Sequence, residues 1–110
     1  MAENRTSQNR IFTYTEASAL LPEVRELTED ARVRVENMGA GASPEEIDAA
    51  TDAVVRAWAR SLVGMGLEVK GLWLVDFDNG SGYYCWRHPE PGLHFFHSYE
   101  EGFTGRMRIQ

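Results

Sequence analysis

Cysteine occurs once in this chain of 110 residues, as Cys85, so no internal disulfide can form. That fits a reducing cytosol. It also excludes a zinc finger, which needs paired cysteines at short spacing. Lysine is equally scarce, since Lys70 is the one residue among eleven basic positions that is not arginine. No apolar run approaches the roughly 20 residues that span a bilayer. The opening MAENRTSQNR is too polar for a secretory signal. A formal net charge of -6 works against broad binding to nucleic acid or an anionic membrane, because phosphate neutralisation needs a basic surface. Walker loops, Rossmann fingerprints and paired metal-helix histidines are missing too.

What is present divides into two unlike halves. Residues 12–65 read as a helical hairpin, and residues 1–11 before them as a disordered or loosely packed N-terminus. Thr13 stands three residues before Glu16, the spacing of a capping box. Ala17, Leu20, Leu21, Val24, Leu27, Ala31, Val35 and Met38 then recur at helical spacing. Pro22 lies inside that stripe and removes a backbone donor, so a kink or restart is expected there. Gly39-Ala40-Gly41-Ala42 breaks the pattern, and Ser43-Pro44 with Glu46 starts a second helix. Its stripe is Ile47, Ala50, Val54, Ala57, Trp58, Leu62 and Met65. The expected helices are 13–37 and 43–65, antiparallel because the link is short.

Residues 66–110 hold all three histidines, the cysteine and most of the aromatic residues. Leu67–Val69, Leu72–Phe77, Tyr83–His88 and Leu93–His97 read as strands, with Asp78-Asn79-Gly80 as a turn. The class is α+β: two helices on three or four antiparallel strands, followed by a tail whose glycines allow a tight turn near the sheet. The whole chain, 1–110, reads as one domain. Large side chains on both faces of the hairpin imply that the helices cover one face, and the tail, a second copy or a ligand the other.

These residues resemble a known family. Phe12-Thr13, Glu16-Ala17, Leu20-Leu21-Pro22, Gly66, Glu68-Val69-Lys70, Val75-Asp76-Phe77, Cys85-Trp86-Arg87, Glu90, His97 and Gly102-Phe103 with Gly105-Arg106 follow its order and spacing across 11–107. The family is an uncharacterised bacterial domain of unknown function, DUF2203. The chain differs from its pattern at Pro89 and Phe96, in place of glycine and tryptophan. The resemblance implies a soluble cytoplasmic protein and supplies no activity.

Cys85, His88, Glu90, His94 and His97 crowd one predicted hairpin. Thiolate, imidazole and carboxylate are the ligand types that zinc and iron favour. Strand register decides whether they meet. If Arg87 pairs with Leu93, Cys85 and His97 share a face; if His88 pairs with Leu93, Cys85 turns to the other side. Against a site stands the ordinary reading of a lone cysteine as a small buried hydrophobe. A nucleophilic Cys–His pair is a third reading, with Glu90 or Asp76 orienting the histidine.

The expected site places Cys85, Glu90 and His97 as metal ligands or catalytic groups. Arg87 and Arg106 would hold an anionic group, with Asp76 beside them as a further ligand-binding or orienting residue. Alternatively, the two arginines form ion pairs with Asp76 and Glu90. The expected cofactor is a transition metal, zinc or iron, and the expected partner a small molecule, with neither nucleic acid nor membrane involved. The rival from another class is a non-catalytic module that forms a homodimer.

Overall fold

The computed structural model describes residues 10–39 and 41–110. The expectation for 1–11 therefore lies, save its last two residues, outside the described residues. Helix α1 is Tyr14–Glu36 and helix α2 is Pro44–Gly64. Each starts with a complete capping box. The Thr13 hydroxyl accepts from the Glu16 N–H while Glu16 accepts from the Thr13 N–H, and Ser43 and Glu46 repeat the exchange. These reciprocal bonds satisfy donors that a helix start otherwise leaves free. At the far end of α2, Gly66 adopts a left-handed φ of 91°. This lets the Leu67 N–H reach back to the Leu62 carbonyl at 3.1 Å.

The expected restart at Pro22 does not occur, since α1 runs unbroken through it. Pro22 faces solvent, whereas Ala17, Leu21, Val24, Thr28 and Ala31 on either side of it are buried in one layer. Packing of that stripe holds both halves of the helix on the core. The stripe on α2 thins towards its start. Trp58 and Leu62 are its buried residues, and Ala50 and Ala57 are exposed.

Five antiparallel strands follow as a simple meander: β1 Glu68–Gly71, β2 Leu74–Asp78, β3 Gly82–Arg87, β4 Phe95–Ser98 and β5 Met107–Arg108. The expectation of three or four strands misses β5. A single 3₁₀ turn, Phe103–Gly105, brings the tail back so that Phe95 and Phe96 pair with Arg108 and Met107. Between β2 and β3, Asp78 and Asn79 side chains accept from the N–H groups of Gly80 and Ser81, and Gly80 takes φ 92°. That turn fixes the pairing of Asp78 with Tyr83, hence of Asp76 with Cys85.

The sheet has two different faces. Val75, Phe77 and Trp86 point to the helices and share a core with Phe12, Leu21, Val24, Leu62 and Leu67. Phe12 meets Phe77 edge to face at 5.4 Å, and its N–H donates to the Asp78 carbonyl. Asp76, Tyr83, Cys85, Phe95 and His97 point the other way. Neither α1 nor α2 covers that face.

Trp58 ties the layers together. Its indole is 4% exposed and packs edge to face on Trp73 at 4.9 Å. Its N–H donates at 2.8 Å to the Thr28 hydroxyl, which in turn donates at 2.7 Å to the Val24 carbonyl. Trp58→Ala should therefore lower unfolding stability by about 3–5 kcal/mol, as large aromatic truncations do. Trp58→Phe should cost less, about 1–3 kcal/mol, chiefly from the polar partner left behind. Urea titration measures both, and a loss within about 0.5 kcal/mol for alanine would contradict the placement.

Candidate functional site

The uncovered face becomes chemically interesting at its centre. In the β3–β4 pair, Tyr83 lies opposite His97 and Cys85 opposite Phe95, the register in which Cys85 and His97 share a face. Gly82 permits the close approach that sets it, because a Cβ there would stand 2.5 Å from the His97 carbonyl oxygen. The β2–β3 register adds Asp76 directly beside Cys85.

Asp76, Cys85 and His97 are all buried, at 1%, 1% and 2% exposure. Each offers one donor atom, and these atoms lie within 4.8 Å of one another. Among the described residues no other group of three potential ligands comes together in this way. The hydrogen bonds define the histidine. His97 Nδ1 lies 2.8 Å from the Ser98 carbonyl. A carbonyl oxygen only accepts, so Nδ1 carries a hydrogen and a neutral ring presents its Nε2 lone pair. That lone pair faces Asp76 Oδ2 at 2.9 Å. Two acceptors so placed repel unless a proton lies between them, and 2.9 Å is the length of a hydrogen bond made by such a proton. Asp76 Oδ1 is buried without a hydrogen-bond partner, an arrangement that calls for an explanation in a folded protein.

Lys70 stands at the edge of the group. Its ammonium is 3.4 Å from Asp76 Oδ2, 3.5 Å from Glu68 Oε1 and 4.0 Å above the Tyr83 ring. Burial disfavours its charge, but Asp76, Tyr83 and Glu68 outweigh that and raise its pKa. Lys70, Leu74, Gly102 and Phe103 complete a cleft of about 300 Å³ over the three buried residues.

Glu90 occupies a different place from the one its sequence position suggests. Its carboxylate takes both Arg106 guanidinium nitrogens at 3.0 and 2.7 Å and accepts the Arg87 N–H at 2.9 Å. The turn after β3 directs it along the chain rather than across the sheet, so Asp76 supplies the carboxylate nearest Cys85 and His97. Arg106 realises the ion-pair alternative with Glu90. It is further sandwiched between Phe95 and Phe103 at 4.0 and 4.2 Å, with Nη1 4.0 Å from Cys85 Sγ. Both faces of its guanidinium are covered, which leaves little of it for an external anion. Arg87 is exposed beyond the cleft, 5.4 Å from the Phe103 ring. His88 binds Glu29 on α1 at 2.9 Å, away from the group.

Burial, with the Asp76 carboxylate beside it, pushes the Cys85 thiol up to about 12. A nucleophilic cysteine needs the opposite shift. A coordinating thiol would instead release its proton to solvent as a metal took its place on the sulfur.

A family model described as an uncharacterized conserved protein, DUF2203, matches residues 34–109, more than half of the chain. The chain belongs to this family. The match covers all five strands and every residue of the site, while the Phe12-to-Pro22 motif lies outside it. Comparison with curated proteins and with solved structures finds no match. No helix among the described residues is long and apolar enough to cross a membrane.

Asp76, expected as a ligand-binding or orienting residue, lies opposite Cys85, where the Asp-Asn-Gly turn sets it. Lys70 was not foreseen at the site, since it carried only the hint of being the chain's one lysine. In metal-free protein, Cys85 should react with iodoacetamide at least about tenfold more slowly than in the unfolded chain, because the raised pKa leaves little thiolate, only partly offset by its greater nucleophilicity. Comparable rates in native buffer and in urea, after allowance for the solvent, would contradict that environment.

Proposed function

We propose that the protein binds one divalent transition metal through Asp76, Cys85 and His97 and presents it to a small molecule in the cleft. The observation that carries this reading is the convergence of one donor atom each from buried Asp76, Cys85 and His97 within 4.8 Å of one another, while His97 Nδ1 is committed to the Ser98 carbonyl. Metal-bound histidines commonly donate their other ring N–H to a carbonyl in this manner, which fixes the coordinating tautomer. The orphaned Asp76 Oδ1 supports the same reading, since an ion would give it a partner.

One carboxylate, one thiolate and one imidazole make a mixed O, S, N set suited to zinc or ferrous iron. Three protein ligands with a further position towards an open cleft resemble catalytic sites, whereas structural zinc sites close with four. Such an ion supplies Lewis acidity towards a water or carbonyl oxygen. The chain contributes the rest: Phe95 and Phe103 restrict water, Arg106 lies beside the sulfur, and Lys70 brings a cation to the mouth. In this reading the protein works in the cytoplasm, where its single thiol stays reduced.

Purified protein, stripped and reloaded with zinc, should hold one equivalent by elemental analysis. His97→Ala, Asp76→Asn and Cys85→Ser should each lower the affinity at least tenfold, while Glu90→Gln keeps it within about threefold. Zinc uptake below a tenth of an equivalent in folded wild-type protein would sink the proposal. The His97–Asp76 contact would then be an imidazolium–carboxylate pair. Equal losses in Glu90→Gln would move the site.

A further inference from the structure

We infer that the ligand of this centre is a small organic carboxylate with a compact apolar body, an inference that rests on the metal-binding reading above. Lys70 is the first reason. Its ammonium is anchored over the Tyr83 ring at 4.0 Å and leans on Asp76 Oδ2 at 3.4 Å. A divalent ion taken up by Asp76 would draw on the same carboxylate charge and leave Lys70 with less of it. A half-exposed cation then stands at the mouth, next to the open coordination position. One carboxylate oxygen can reach the metal while the other meets the ammonium, a charge-assisted contact.

The remaining walls decide the rest of the ligand. Leu74 and Phe103 are the apolar side chains of the cleft, and Gly102 adds no side chain. A volume of about 300 Å³ admits a body the size of one aromatic ring. Pockets of this type bind through apolar walls and take their orientation from a few polar groups. Glu68 does not oppose an anion in the cleft. It accepts the Tyr83 hydroxyl at 3.1 Å, engages Lys70 from the strand side and is not one of the walls. Arg106 is locked in a close pair with Glu90 at 2.7 Å and is not one of the cleft walls, whereas Lys70, with looser contacts of 3.4 and 3.5 Å to Asp76 and Glu68, is the cation of the cleft wall. An inorganic phosphate would bring more negative charge than this one ammonium balances, and no apolar surface for Leu74 and Phe103.

Cobalt(II) is the probe of the centre, because its visible absorption reports both a bound thiolate and changes in coordination. The full chain loaded with one equivalent of cobalt should show a saturable change in that spectrum on adding benzoate. Lys70→Met should keep the cobalt spectrum and weaken benzoate at least tenfold. Phe103→Ala should weaken benzoate several-fold and leave acetate unchanged. A cobalt spectrum indifferent to benzoate would overturn the carboxylate inference and leave the metal reading standing. Benzoate binding equally well to Lys70→Met, or phosphate binding more tightly than benzoate, would overturn it too. Absence of any cobalt–thiolate absorption would overturn both together.

Discussion

His97 Nε2 and Asp76 Oδ2 face each other at 2.9 Å inside a protein interior, and the proposed chemistry of the molecule depends on whether a proton or a metal ion joins them. The arrangement is enforced from outside the pair. Ser98 holds the imidazole by its other nitrogen, and strand pairing holds Asp76 and Cys85 side by side. Neither side chain can turn away without leaving a buried polar atom unpaired, at a cost of about 1–3 kcal/mol or more. At this hydrogen-bond distance a shared proton relieves the conflict, and in the proposed metal-bound form the ion would take that proton's place.

The fold leaves one sheet face clear of α1 and α2. Both helices pack on the opposite face, where Val75, Phe77 and Trp86 meet Leu21, Val24 and Leu62. Among the described residues the 3₁₀ turn lies over the site face and the short β5 extends the sheet edge, a tail pinned by Arg106 between Phe95 and Phe103 and by its bidentate pair with Glu90. Glu90 is thus a fastener of the tail. Its loss should loosen the cover of the cleft without removing a donor atom from the centre.

How much of this was legible depended on how local each signal is. The two capping boxes and the apolar stripes act within a few residues, and both helix starts and both ends follow from them. The Asp-Asn-Gly turn is equally local and implies the register of Asp76 against Cys85. β5 was not legible, because two exposed residues paired at a sheet edge carry no hydrophobic alternation. Pro22 misled for the opposite reason. A local rule predicted a break, and tertiary packing of Leu21 and Val24 overrode it. At the site, residue type favoured Glu90 for its nearness to Cys85 in sequence. The sheet favours Asp76, nine residues before the cysteine yet its direct cross-strand neighbour. Lys70, two strands away from Cys85, becomes relevant only once the meander is formed.

The most direct measurement of the central claim is X-ray absorption at the zinc edge on protein loaded with one equivalent. The account predicts one sulfur scatterer at about 2.3 Å with a shell of nitrogen and oxygen at about 2.0–2.2 Å. Imidazole multiple scattering from a single histidine should accompany them. A shell of nitrogen and oxygen alone, with no sulfur and no imidazole signature, would contradict it.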